Sequence, residues 1–147
     1  MNTSKLSEWQ GWGLTILRVV IGIVFVMHGA QKLFMMGIGG TAGFFGSLGI
    51  PLPVVAATLI TALELLGGIA LILGLFTRPV ALLLAADMLV AMFLVHVPNG
   101  FFASDGGIEL PLTVLSAGLA LALSGPGEAA LDTMLARRAP RATQLRT

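Results

Sequence analysis

The sequence predicts an all-α fold, a polytopic membrane protein arranged as a four-helix transmembrane bundle, and three observations carry this. Apolar residues make up 56% of the 147 and charged ones 10%, with a mean hydropathy of +0.98, a balance that would leave a soluble domain of this size without enough polar surface. Four apolar runs, at 12–36, 54–76, 79–97 and 108–124, consume most of the chain at roughly 20 residues per crossing. Most basic residues fall on one side of the bilayer if the chain crosses four times.

The first run follows a stretch carrying Lys5 and Glu8, with no small-residue cleavage site, so it reads as a retained first span. The glycine-rich segment 37–43 reads as a loop. After it, 44–53, with Phe44, Phe45, Pro51 and Pro53, reads as an interfacial or re-entrant segment. Only Thr77 and Arg78 separate the second and third runs, and Pro79 suits a first helical turn, which predicts an antiparallel helical hairpin. Turn residues and Phe101-Phe102 make 98–107 the next loop, and the fourth run is short for a full crossing. Residues 1–132 are expected to form a single domain, and 133–147 a disordered, basic cytoplasmic tail.

Lys5, Arg78, Arg137, Arg138, Arg141 and Arg146 place both termini in the cytoplasm of a bacterial-type inner membrane, with only Lys32 dissenting. A net charge of +1 gives no electrostatic grip on nucleic acid. The absence of cysteine excludes disulfides, thiolate chemistry and cysteine-ligated metal centres within this chain. The expected surroundings are the lipid bilayer, a redox partner subunit and further copies of the chain. Frequent small residues, Gly22, Gly29, Ala57, Gly67, Gly68 and Gly118 among them, permit close helix packing in lipid.

Ionisable residues within apolar runs are costly, about 2.5–3.5 kcal/mol for Asp, Lys or Arg at the bilayer centre, and must face one another or a cavity. Arg18, His28 and Lys32 form one polar stripe on the first helix. With the assigned topology His28, Lys32, His96 and Glu109 converge near the outer face. Glu64 and Asp87 lie deeper, in reach of Arg18, and read with Arg18 and Arg78 as structural ion-pair members. Each residue also has a plainer role: Lys32 can snorkel, His96 can cap, and Glu109 suits a helix N-terminus.

Such an outer cluster is suited to hydrogen-bonding a quinone and exchanging protons with it, His96 and Glu109 as the catalytic proton-handling pair and His28 and Lys32 holding ligand oxygens. Phe101 and Phe102, with Phe34, Phe44 and Phe45, would wall the ring slot. Histidine ligation of a haem or metal, or a proton or small-anion path along the first helix, are the competing chemistries; no metal-ligand motif is present, and no metal is expected.

Leu17-Arg18, Gly22, His28-Gly29-Ala30-Gln31-Lys32-Leu33, Glu64, Gly67-Gly68, Leu73-Gly74-Leu75-Phe76-Thr77-Arg78, His96, Gly100-Phe101-Phe102, Glu109 and Gly125-Pro126-Gly127 stand in an order that resembles the DoxX family of small integral membrane proteins. The resemblance spans about 14–132 and departs at Ala130, where the family often has serine. It implies a four-helix membrane protein and, by association, redox work, since relatives include a subunit of a thiosulfate:quinone oxidoreductase and a component of an oxidative-stress complex. The expected function is therefore redox-associated binding of a quinone or similar lipid-soluble ligand, with electrons from a partner subunit or a small reductant. A non-catalytic scaffold or assembly subunit, and a small-solute or proton carrier, are the alternatives.

Overall fold

The computed structural model describes residues 3–138, and among them there is no strand. Helix α1 (Thr3–Ala30) continues through a π-helical turn (Gln31–Met36) into α2 (Gly37–Ser47). Then come α3 (Pro53–Leu73) and α4 (Thr77–Ala91), the latter prolonged by a second π-helical turn (Met92–His96) and a 3₁₀ turn (Val97–Asn99). A further 3₁₀ turn (Ala103–Asp105) leads to α5 (Glu109–Ser124) and α6 (Leu131–Arg138).

Three stretches among the described residues are long and apolar enough to cross a membrane: Ser7–Ser47, Pro53–Leu73 and Thr77–Asn99. The fourth expected span, α5, has 16 residues, about 24 Å at 1.5 Å per residue against a hydrocarbon core of about 30 Å. Length and composition thus support three spans, and α5 is a shorter apolar helix packed beside them.

Helices α1 and α3 meet backbone to backbone. A Cβ at Gly22 would sit 2.8 Å from the Gly68 carbonyl oxygen, one at Gly68 would sit 2.7 Å from that of Gly22, and one at Gly29 would sit 2.6 Å from the Leu65 nitrogen. Gly22 and Gly29 are seven residues apart, the spacing that keeps one helix face turned to a partner over two turns. The same stripe on α1 carries Thr15, Arg18 and Phe25, and its counterpart on α3 carries Ala57, Thr61, Glu64 and Leu71, all buried. Since lipid offers no hydrophobic gain for helix association, this close approach supplies van der Waals contact instead. On the other side α4 packs on α5, with Gly118 against Ala85, and the core between the pairs is built from Ile21, Phe25, Leu71, Leu84, Val114 and Leu121.

Two sequence expectations change. The 37–43 segment is helical, because Gly37 at φ +67° redirects the chain, Thr41 Oγ1 donates to the Gly37 carbonyl at 3.0 Å, and Ala42 and Phe45 bury against Ala57. That packing outweighs the weak helix propensity of Gly39, Gly40 and Gly43. The start of the supposed disordered tail is also helical: α6 spans Leu131–Arg138, and the Asp132 carboxylate accepts from the backbone N–H groups of Phe76 and Thr77, each at 2.8 Å. This anion at the N-terminus of α4 supports Phe76 in its left-handed conformation, φ +48°. Arg141 and Arg146 lie outside the described residues.

The glycine contact sets the first prediction. Gly68→Val should lower the thermal stability of the detergent-solubilised protein by about 1–3 kcal/mol, the usual effect of overpacking, and reduce its accumulation in membranes. Gly13→Ala, on an α1 position with open space around it, should be neutral or slightly stabilising in the same thermal-unfolding assay.

Candidate functional site

Helices α3 and α4 touch where Gly67 meets Val80 and Leu84. Further from their connecting turn, a cavity of about 740 Å³ lies between them, within the range of small-molecule sites. Its walls are largely apolar, with Val24 and Phe25 from α1, Phe44 and Phe45 from α2, Ile60 and Leu63 from α3, Leu83 and Val90 from α4, and Val114 from α5. Into this surface project five ionisable side chains: His28, Lys32, Glu64, Asp87 and His96.

Lys32 Nζ donates to Glu64 Oε2 at 2.7 Å, with Glu64 almost wholly buried. Asp87 lies beside Glu64, within side-chain hydrogen-bonding reach of it, and among the described residues no N–H or hydroxyl donor reaches its buried Oδ2. Both imidazoles are held through Nδ1, His28 to the Val24 carbonyl at 2.8 Å and His96 to the Gly106 carbonyl at 2.7 Å. A carbonyl can only accept, so each Nδ1 carries a hydrogen, and Nε2 is the ring nitrogen that these bonds leave uncommitted.

The two π-helical turns flank this site. One contains Lys32 and the other ends at His96. A π-helical turn shifts the following side chains around the helix relative to a regular ladder and recurs at functional positions. Around Lys32 the distortion is held by Thr41, whose Oγ1 also donates to the Lys32 carbonyl at 3.4 Å.

Of the expected site residues, His28, Lys32 and His96 line the cavity together, whereas Glu109, Phe101 and Phe102 do not. Glu109 is exposed, and its Oε2 accepts from the Ala103 N–H at 2.9 Å, so it closes the 100–109 loop from the first turn of α5. Phe101 and Phe102 pack edge to face, 5.5 Å between centroids, on the outside of that loop. Of the expected aromatics, Phe44 and Phe45 of α2 line the cavity and Phe34 does not, and Phe25 of α1 joins them.

The expected pairing of Arg18 with Glu64 or Asp87 is not formed. Arg18, 1% exposed, donates to the carbonyls of Leu71 (2.7 Å), Ile72 (3.3 Å) and Ala129 (2.5 Å). The glycine register sets Arg18 opposite the C-terminal end of α3, where free carbonyls and the negative end of the helix dipole stabilise a cation. The same register brings Lys32, further along α1, to Glu64. Arg78 is exposed beside Gly125 and has no ion-pair partner among the described residues. Among the described residues no group of three or more His, Asp or Glu side chains is placed to hold a metal.

The model of the DoxX family matches residues 13–97. The chain belongs to the DoxX family. The match runs from α1 into the 3₁₀ turn that prolongs α4 and contains all five ionisable residues of the cavity, while Glu109 falls beyond it. This DoxX protein is 39% identical over 120 residues to a Bacillus subtilis protein named "Putative oxidoreductase CatD", covering 82% of this chain and 84% of that one. It is 37% identical over 132 residues to an uncharacterized Haemophilus influenzae protein (88% and 95% covered). It is also 32% identical over 127 residues to the Escherichia coli inner membrane protein YphA (81% and 87% covered). No solved structure matches.

The Lys32–Glu64 pair in this DoxX bundle is testable by a double-mutant cycle. Lys32→Met and Glu64→Gln should each destabilise the protein by about 3 kcal/mol, because each strands the other partner. The double variant should lose clearly less than the sum of the two. Thermal unfolding in detergent measures all three.

Proposed function

We propose that this DoxX protein binds a quinone-type ligand, an aromatic ring with polar oxygens and an apolar tail, in the cavity between α3 and α4. The observation that carries the reading is one cavity of about 740 Å³ whose walls are apolar apart from His28, Lys32, Glu64, Asp87 and His96. An apolar pocket with a few convergent polar groups is what an amphipathic ring requires. The name of the Bacillus subtilis relative supports the redox direction. When bound, a quinone supplies a two-electron, two-proton couple.

The chain's own residues supply positions and protons. Lys32, held by Glu64, keeps N–H groups for the ligand, the Glu64–Asp87 pair and His28 add polar contacts beside it, and His96 is held at Gly106. Phe44 and Phe45 exclude water from one side. Without cysteine in its sequence, the chain has no thiol couple of its own, and in this reading electrons come from a partner dehydrogenase subunit or a small reductant.

Entry is from the bilayer in this reading. Leu83, Val90 and Leu94 line the cavity while also being exposed, 55%, 55% and 41%, on the flank of α4. A ligand dissolved in lipid would pass between this flank and α2. We read α5 as the fourth crossing, with both termini cytoplasmic and the cavity in the outer half of the membrane.

Two measurements test the proposal. Protein purified in mild detergent should carry a near-stoichiometric prenylated quinone or quinol, identified by mass spectrometry, and Asp87→Ala paired with His28→Ala should lose it. Absence of any such ligand, with failure to bind added quinone in nanodiscs, would reject the reading; solute flux in proteoliposomes would then favour a carrier. Val90→Trp, which fills the proposed lateral opening, should slow ligand uptake at least tenfold in a stopped-flow assay while leaving stability within about 1 kcal/mol of wild type.

A further inference from the structure

Helix α6 is fastened to the bundle through one side. The Asp132 carboxylate accepts from the Phe76 and Thr77 N–H groups at 2.8 Å each. The Asp132 N–H donates to the Gly74 carbonyl at 2.9 Å, and Thr133 Oγ1 donates to the Gly127 carbonyl at 3.0 Å. Leu131, Met134 and Leu135, three and four residues apart, share the other face, and they are 38%, 52% and 58% exposed. The tethers at Asp132 and Thr133 keep that apolar face from turning inward.

Two observations fix the depth of α6. The Glu128 N–H donates to the Gly11 carbonyl at 3.3 Å, so the segment leading into α6 lies level with Trp9 and Trp12. Both are exposed, and tryptophan marks the membrane–water interface. The Asp132 bonds set the first turn of α6 on the connection between α3 and α4, where one apolar span ends and the next begins. An apolar helix face at that level meets the boundary between headgroups and acyl chains.

The charge around α6 has one sign. From 133 to 147 the sequence has arginine at 137, 138, 141 and 146 and no aspartate or glutamate. Arg137 and Arg138 belong to the last turn of α6. Arg78, next to the Thr77 that Asp132 holds, is exposed and has no ion-pair partner among the described residues. Basic residues beside an apolar face are what an anionic lipid surface attracts. A second copy of the chain seated on this face would instead bring like charges together.

We propose that α6 is an interfacial anchor for anionic phospholipid. Leu131, Met134 and Leu135 enter the headgroup–acyl boundary, and the arginines that close and follow the helix, with Arg78, attract the phosphate-bearing headgroups. The site is separate from the cavity and stands whatever the cavity binds. It also bears on the core, because Ala129, two residues before α6, supplies an acceptor to Arg18. A lipid that holds α6 in place holds that acceptor too.

The chain has no cysteine, so Leu135→Cys gives a single labelling site for an apolar nitroxide. Power-saturation EPR of the labelled full chain in nanodiscs compares the access of oxygen, which concentrates in the bilayer, with that of a water-soluble nickel chelate. Raising phosphatidylglycerol from none to half of the lipid, with phosphatidylcholine as the remainder, should lower nickel access at least fivefold and raise oxygen access. Arg137→Gln with Arg138→Gln removes two charges worth about fivefold each in attraction to an anionic surface, and should abolish most of that response. Both positions lie beyond the Asp132 and Thr133 tethers, and an unchanged unfolding midpoint in phosphatidylcholine identifies a folded variant. If that variant does not fold, the phosphatidylglycerol titration of the labelled chain still decides. Nickel access that is the same with and without phosphatidylglycerol would overturn the proposal. So would spin–spin broadening together with loss of both oxygen and nickel access, the signature of a second copy on this face.

Discussion

The approach of α1 to α3 over Gly22, Gly29 and Gly68 is the constraint on which the other features of the bundle depend. Where these glycines meet the partner backbone there is no room for a side chain, and the larger residues on either side of them fix the antiparallel register. That register decides which charge meets which partner. Arg18 reaches the carbonyls at the end of α3, and Lys32 reaches Glu64 in its middle. Were the helices held apart by larger residues, neither contact would have its length, and two cations would stand in lipid without partners.

The bundle is consequently different at its two ends. Near the termini, Arg18, Gly74, Asp132 and the 125–130 segment form a closed arrangement in which a guanidinium and a carboxylate both bind backbone. Adding a Cβ at Gly74 would collide with Arg18 and Ala130, so there is no slack there. At the opposite end α3 and α4 separate, two π-helical turns disturb the regular ladders, and α2 folds across the gap. Close packing at one end supports an open cavity at the other, so the candidate site is positioned by elements fixed through their own contacts.

Much of the architecture was legible in the sequence, because bilayer thickness imposes a length on apolar runs that a reader can count. The helical stretches, the hairpin at Thr77-Arg78 and the loop after His96 all follow from hydropathy and turn residues. The helix at 37–47 was not legible, since its glycines argue against it and only burial of Ala42 and Phe45 against Ala57 explains it. Of the site, His28, Lys32 and His96 were found as ionisable groups in apolar runs, and so were Glu64 and Asp87, though with the wrong partner. The missing information was the register. Gly22 set against Gly68 in an antiparallel pair would have placed Arg18 beside Ile72 at the end of α3 rather than beside Glu64. Glu109 misled because its loop returns upon itself, so nearness to the mouth in sequence became a contact with Ala103 rather than with the cavity.

The three carbonyls that hold Arg18 are made at very different times during synthesis. Leu71 and Ile72 emerge with α3, but Ala129 lies 111 residues after Arg18. A nascent chain therefore enters the membrane with its first helix carrying a guanidinium whose final acceptor does not yet exist. Only when the last segment leaves the ribosome does that charge acquire its full set of bonds. The 125–130 segment thus acts as a clasp fastened last, and a chain cut short before it leaves the buried guanidinium of Arg18 one acceptor short.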